Sequence, residues 1–488
     1  MRTSGILMPI FSLSNSYGIG SLGKCAYSFV DFLKKSGQSL WQILPIGHTG
    51  FGDSPYQTFS CFAGNPYFID LDLLCEEGLL KRSELEEEKN SSERIDYGRL
   101  YNIRYKTLHI AFSRFKASDA YYKFCSENAD WLDSYCVFMT LKELHGGARL
   151  SEFGDFHGKE NGRFKTENAD IMDFYRFLQY KFFEQWNKLH EYASRQGIQI
   201  IGDIPIYASG DSADVFEYPE LFSVDSSFRP IEVAGCPPDS FSADGQLWGN
   251  PVYNWEKMKE DGYAWFIRRI KFNLELFDIL RIDHFRGFQS YFSIPANAVS
   301  AKAGEWKKGP SEAFFDKVFE SLGRDLPIIA EDLGFLSEDV RSLLAFTGFA
   351  GMKVLQFAFD SREESDYLPH NYDKNCVVYT GTHDNDTLLG WVESISEADL
   401  QKAKDYTRTK SGTALAEALT DLALSSVAER CILCMPDILS LGRSARINTP
   451  GTLGNNWRWR IKSDAITPEL YEKLLFKTKL YGRALHGN

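Results

Sequence analysis

Eight short apolar runs set the limits on what this chain can become. They are GILMPIF (5–11), LWQILPI (40–46), IQIIGDIPI (198–206), FDILRID (277–283), PIIAEDL (327–333), GMKVLQF (351–357), CVVYTGT (376–382) and CILCMPDIL (431–439). Most are apolar almost without interruption, as parallel strands covered on both faces should be. Amphipathic helical patterns lie between several of them. Residues 168–196 carry apolar side chains at i, i+3, i+4 spacing, and Gly197 offers a C-terminal stop. Residues 311–323 and 337–348 read the same way, with Ser337 and Glu338 suited to a helix start. Eight strands alternating with helices predict an α/β fold, a (β/α)8 TIM barrel.

The runs are unevenly spaced. About 150 residues separate the second from the third and about 70 the third from the fourth, more than one crossover helix requires. Subdomains inserted in the βα loops are expected at approximately 47–165 and 207–276. The stretch 75–94 is rich in charge and reads as a solvated helix and loop; FSADGQLWGNPVYNW (241–255) reads as an aromatic loop. No linker or repeat divides the chain, so residues 1–488 are expected to form one catalytic barrel without a separate C-terminal β-domain.

The net charge of -13 argues against nucleic acid or an anionic membrane as partner. No apolar segment approaches the ~18 residues of a membrane span. The N-terminal MRTSGILMPIFSLS lacks a small-residue cleavage site and reads as a first strand, not a signal peptide. Nine scattered cysteines predict reduced thiols in a cytoplasmic protein, and the lone pair Cys431 and Cys434 falls in a strand that turns them to opposite faces. YGIGSLG (17–23) has a glycine-rich outline but no acidic ribose partner about 20 residues on, so it predicts a rim loop and no cofactor.

Active sites of such barrels lie at the C-terminal strand ends. There the third run places Asp203; the fourth, in RIDHFRG, Arg281, Asp283 and His284; the fifth Glu331 and Asp332; the seventh His383, Asp384 and Asp386. One such acid alone is more often a salt-bridge partner or a helix cap. Four strands delivering acids to one rim repel one another unless the charge is put to use. Three chemistries fit: glycosyl transfer between paired carboxylates ~5–5.5 Å apart, a Mg²⁺ or Zn²⁺ site, or proton abstraction. HExxH and HxH patterns are absent, and Arg281 beside Asp283 opposes a cation, so no metal is expected. Arg281 and Asp283 share a strand face, so the arginine is expected to keep Asp283 ionised, as a nucleophile must be. The loops 54–66 and 242–251 mix hydroxyl, amide and aromatic groups, among them Tyr56 and Trp248, which suits sugar rings as well as local packing.

These residues resemble the amylomaltases, the 4-α-glucanotransferases also called disproportionating enzymes. The similar stretches are GILMPIFSLSNSYGIGSLG, LWQILPIGHTGFGDSPYQTFSCFAGNP, IGDIPIY, PPDSFSADGQLWGNPVYNW, RIDHFRG, IAEDLG, GTHDNDT and ARINTPGTLGNNWRWR, in the family's order from residue 5 to 460. The resemblance implies a retaining enzyme of the α-amylase type. Asp283 matches the nucleophile, Glu331 the acid/base, and Asp384 the acid that binds donor-sugar hydroxyls and stabilises the transition state. Asp203, Arg281 and His383 match donor-site ligands, and Tyr56 a stacking ring. Trp248 and Asn250 lie in the family's flexible loop over the cleft, and Asn455 and Trp457 match a further motif. The chain departs from the family at Met435-Pro436-Asp437, where proline removes a backbone donor and the usual amide.

The implied partners are maltooligosaccharides and α-1,4-glucans, with glucose as acceptor, acted on by a monomer or weak homo-oligomer. An α-amylase-type hydrolase and a catalytically inactive glucan-binding protein are the competing readings. A metal-dependent barrel hydrolase is a further one.

Overall fold

All eight apolar runs overlap a strand of one sheet. The computed structural model describes residues 2–50, 52–153, 162–238, 243–334 and 337–484. The strands, in chain order, are β1 (Thr3–Leu7), β2 (Leu40–Gln42), β3 (Gln199–Ile204), β4 (Glu232–Cys236), β5 (Gln246–Pro251), β6 (Ile279–Ile282), β7 (Ser290–Pro295), β8 (Glu305–Lys308), β9 (Ile328–Ala330), β10 (Gly351–Val354), β11 (Cys376–Tyr379) and β12 (Arg430–Cys434). The parallel sheet runs β10-β11-β12-β1-β2-β3-β6-β9. A parallel bridge from Ile329 to Ala350, with Ala330 N–H donating to Ala350 O at 2.9 Å, closes β9 onto the segment before β10. The result is the (β/α)8 barrel that the run pattern predicts.

The long helix over 168–196 forms at Ala169–Arg195 and buries Phe174, Phe177, Phe182 and Trp186, the apolar side of its 3.6-residue repeat. Gly197 follows at φ +77°, where a side chain would be strained. The helices Glu312–Leu322 and Glu338–Thr347 also match their predicted spans. Ser337 occupies the N-cap without a side-chain bond, leaving Glu338 and Asp339 to complement the helix dipole. Among the described residues after β12, helices but no strands occur, and no helix is long and apolar enough to cross a membrane. All nine cysteines are free thiols.

Two local readings need correction. The segment 241–255 reads as a loop, yet Gln246–Pro251 forms β5, antiparallel to β4; residues 239–242 lie outside the described residues. With β7 and β8 these strands build a second sheet, order β5-β4-β7-β8, beside the barrel. The two pairs β4–β5 and β7–β8 are joined by β4 pairing with β7, more than 50 residues on, which no local pattern announces. In the charge-rich stretch 75–94, Glu88 is not solvated. It is buried in an ion pair with Arg104, whose Nη1 and Nη2 also donate to Tyr67 O and Tyr17 O. Carbonyls and carboxylate together satisfy that guanidinium, which makes its burial tolerable.

Candidate active site

The register between β3 and β6 sets Asp203 directly opposite Arg281. Side chains of paired residues point to the same face, here into the barrel, where both are buried. Arg281 Nη1 donates to both oxygens of Asp203 at 2.7 Å. Its Nη2 donates to Asp283 Oδ1 at 3.0 Å. One guanidinium therefore ties two strand ends together through planar, charge-assisted bonds.

The barrel ladder continues one residue past the strands. Asp283 N–H donates to Ile204 O at 2.9 Å, and Glu331 N–H to Ile282 O at 3.0 Å. These bonds bring Asp283 and Glu331 to the same rim. His284 then turns the chain in a left-handed conformation, φ +51°, uncommon for a non-glycine residue and found where a site demands it. The turn aims His284 N–H at Glu331 Oε2, 2.7 Å away, while Leu333 N–H donates to Oε1 at 2.8 Å.

Burial pushes the carboxyls of Asp283 and Glu331 up, and Arg281 opposes the rise in both. The expectation that Arg281 simply holds Asp283 low is therefore incomplete. The guanidinium is divided between Asp203 and Asp283, and the nearby Glu331, Asp203 and Asp384 reinforce the effect of burial on Asp283. Burial also pushes the His284 imidazole down, to about 3, with help from Arg286.

The β11 end supplies the third side of the cleft. Tyr56 OH donates to Asp203 Oδ2 at 2.7 Å and lies 2.9 Å from His383 Nε2. Burial pushes the His383 pKa down, so its ring is neutral near pH 7. Since the tyrosine proton points to Asp203, His383 Nε2 carries the proton that meets the phenol oxygen. The Tyr56 and His383 rings stack at 5.3 Å, and Trp457 flanks both at 5.9 and 6.0 Å. Asp384 stands at the open side, 3.4 Å from His383 Nε2, and its Oδ1 accepts from Asn448 Nδ2 at 2.6 Å.

The rim thus gathers Asp203, Asp283 and Glu331 around one arginine, with Asp384 at the open side and an aromatic wall. Carboxylates outnumber the cation, an arrangement suited to stabilising positive charge on a bound neutral molecule. The other two candidate acids do different work. Asp332 Oδ1 accepts from Met352 N–H at 2.6 Å, and Asp386 joins Thr387 N–H to Arg443 Nε. Among the described residues no group of three His, Cys, Asp or Glu side chains is placed to hold a metal ion.

A family model described as 4-alpha-glucanotransferase matches residues 8–466. The chain belongs to the 4-alpha-glucanotransferase family. It is 46% identical over 486 residues to a 4-alpha-glucanotransferase of Clostridium butyricum, covering 98% of this chain and 100% of that one. It is 43% identical over 485 residues to one from Thermus thermophilus, covering 96% of each. The solved amylomaltase from Streptococcus agalactiae in complex with acarbose superposes with a TM-score of 0.96 at 39% identity, covering 99% of this chain and 100% of that one. The resemblance carried by the eight motif stretches is borne out, and the chain is an enzyme of the 4-alpha-glucanotransferase class.

Within this 4-alpha-glucanotransferase the remaining predicted residues divide. Trp248 lies edge-on to His284 with ring centroids 4.8 Å apart, at the cleft. Asn250 is buried, and both ends of its amide meet protein: Oδ1 accepts from Gln57 Nε2 at 2.6 Å and Nδ2 donates to Ala208 O at 2.9 Å. Gln57 also donates to Trp248 O at 3.1 Å, so it joins the Tyr56 loop to β5. Asn455 is exposed, and its backbone carbonyl accepts from Arg94 Nη2 at 3.2 Å. Among the described residues its side chain makes no hydrogen bond with the rim acids. Pro436, the departure from the family pattern, sits in the first turn of the short helix Met435–Ile438. The missing N–H has no intrahelical partner there, so the proline is tolerated. Asp437 beside it accepts from Thr380 Oγ1 at 2.9 Å and Leu388 N–H at 2.7 Å, which braces the β11 loop. Gln57 and Asn448 stand in the SPYQTFS and ARINTPG stretches, and nothing in their spacing marks them out.

Proposed function

We propose that the enzyme moves α-1,4-linked glucosyl or maltooligosaccharyl units from a donor glucan to the 4-hydroxyl of an acceptor glucan or glucose, with retention, through a covalent glycosyl-aspartate on Asp283. The observation that carries this reading is the tie between the two central acids: Glu331 is hydrogen-bonded to the residue next to Asp283.

Burial raises both carboxyls, and two acids this close favour sharing a proton over both being ionised. Arg281 hydrogen-bonds Asp283 and not Glu331; the reaction needs the proton on Glu331, and Glu331 is assigned as its holder when substrate is bound. The two amide donors to Glu331 pull the other way and keep its carboxyl aimed while the proton leaves and returns. In the first half-reaction Glu331 protonates the glycosidic oxygen as Asp283 Oδ2 attacks the anomeric carbon. The leaving glucan departs with its new hydroxyl. In the second, Glu331 takes a proton from the acceptor hydroxyl, which displaces Asp283 and re-forms the α-bond. Asp384, Asp203 and Arg281 hold the donor sugar through the oxocarbenium-like transition state, with Tyr56 and His383 forming the wall it rests on. Trp248 is assigned to the acceptor side, and Asn250 to bracing that strand.

The 1–488 chain is taken as one catalytic unit acting in the cytoplasm. The same acids serve an α-amylase-type hydrolase, and maltotriose separates the two. A ladder of longer oligosaccharides with free glucose supports transfer. Maltose and glucose alone would establish hydrolysis, and no turnover would establish an inactive glucan-binding protein.

A further inference from the structure

The segment after β12 grips the β11 loop at successive polar points. Arg443 Nε donates to Asp386 Oδ2 at 2.7 Å, and its Nη2 to Gly390 O at 3.1 Å. Arg446 Nη2 donates to Asp384 O at 2.6 Å, and its Nε to Asn448 O at 2.7 Å. Asn448 N–H donates to His383 O at 3.0 Å, and its side-chain Nδ2 to Asp384 Oδ1 at 2.6 Å. Asn448 is itself fixed, being 9% exposed. Next to it, Trp457 N–H donates to Ile447 O at 2.8 Å, and Asn456 Oδ1 accepts from Thr449 N–H at 3.0 Å.

Asp384 needs such support. Its side chain is 42% exposed, and a carboxylate on a free torsion samples several orientations. The Asn448 amide holds Oδ1 at 2.6 Å, which restrains rotation about the last bond. Oδ2 is then the oxygen offered to the cleft; among the described residues none donates to it. An amide donor does this without cancelling the charge on the carboxylate, as a lysine or arginine in its place would.

We propose that Asn448 is a positioning residue for transfer: it locks the Asp384 carboxylate so that Oδ2 meets the donor-sugar hydroxyls as charge develops at the anomeric carbon. The proposal rests on the reading of Asp384 given above. It assigns Asn448 an effect on kcat that exists only through Asp384.

The test is a double-mutant cycle. Asn448→Ala and the isosteric Asn448→Asp are made alone and with Asp384→Asn, and each protein is assayed for kcat and KM with maltotriose and with maltosyl fluoride, whose better leaving group keeps weak variants measurable. Asn448→Ala is expected to lower kcat on the order of 10–100-fold with KM changed by less than about 3-fold. Asn448→Asp is expected to lose more at neutral pH, because two carboxylates then face each other, while its matched volume preserves the fold. With Asp384→Asn already present, either change is expected to cost less than about 3-fold, since coupled residues are not additive. Unchanged kcat in both Asn448 variants, or full additivity with Asp384→Asn, would overturn the proposal and leave the Asp384 reading standing. Wild-type kcat in Asp384→Asn alone would overturn that reading, and the proposal with it.

Discussion

Glu331 and Asp283 are held on one backbone turn: Glu331 Oε2 accepts a 2.7 Å hydrogen bond from His284 N–H, the residue that follows Asp283. The proposed acid/base cannot shift against the proposed nucleophile without breaking that bond. Glu331→Gln keeps the shape and the two amide contacts in part, but removes the proton donor. We expect it to slow transfer from maltotriose by at least about 10³-fold, and to retain much of the glycosylation step with maltosyl fluoride, whose departure needs no acid. Burst kinetics with the two donors check this.

Removing the cation should move the pH profile in a known direction. Arg281 lowers the pKa of both Asp283 and Glu331 against the effect of burial. A protonated carboxyl is neutral, so losing a nearby positive charge favours it and raises both values further. Arg281→Met is therefore expected to shift both limbs of the kcat/KM profile to higher pH, besides lowering the maximum. Rates between pH 4 and pH 9, in about half-unit steps, would record it.

The Tyr56 hydroxyl and ring can be separated. Tyr56→Phe keeps the stack on His383 but deprives Asp203 Oδ2 and His383 Nε2 of their shared partner. Asp203 Oδ2 keeps its bond from Arg281, so His383 Nε2 is the buried group left unpaired, at a cost of about 1–3 kcal/mol, and kcat/KM for maltotriose is expected to fall about 10-fold or somewhat more. Tyr56→Ala loses the wall as well, and its loss is expected to be greater.

Glu88 tests stability apart from chemistry. Its partner Arg104 is buried, and Glu88→Ala leaves that charge without a counter-ion. Unfolding in urea is expected to show a loss of about 3–5 kcal/mol, while kcat per folded molecule is retained.

The barrel strands are legible because a strand covered on both faces must be apolar throughout, as in CVVY of β11 or IIA of β9. The second sheet is not. In β5, exposure alternates over QLWG, and the segment carries aromatic and glycine signals that also describe a loop. The Arg281–Asp283 pair is legible from its two-residue spacing, but the stronger bond of Arg281 to Asp203 depends on the register of β3 with β6, which only the closed barrel sets. For the same reason the protonation of Asp283 could not be judged locally: the acids that raise it arrive from β3, β9 and β11. Asn250 and Asn448 show the limit of motif reading. Both fall in recognisable stretches, yet only their hydrogen bonds reveal that one braces β5 and the other holds Asp384.

The covalent glycosyl-aspartate is the claim on which the mechanism stands. Glu331→Gln, mixed with maltosyl fluoride in the absence of acceptor and quenched in acid, should accumulate the intermediate, because its discharge needs the missing base. Digestion and mass spectrometry are predicted to find one maltosyl group, on the peptide carrying Asp283, and to find none once Asp283 is also changed to Asn. A label on another side chain, or no label together with products of inverted anomeric configuration, would contradict the account.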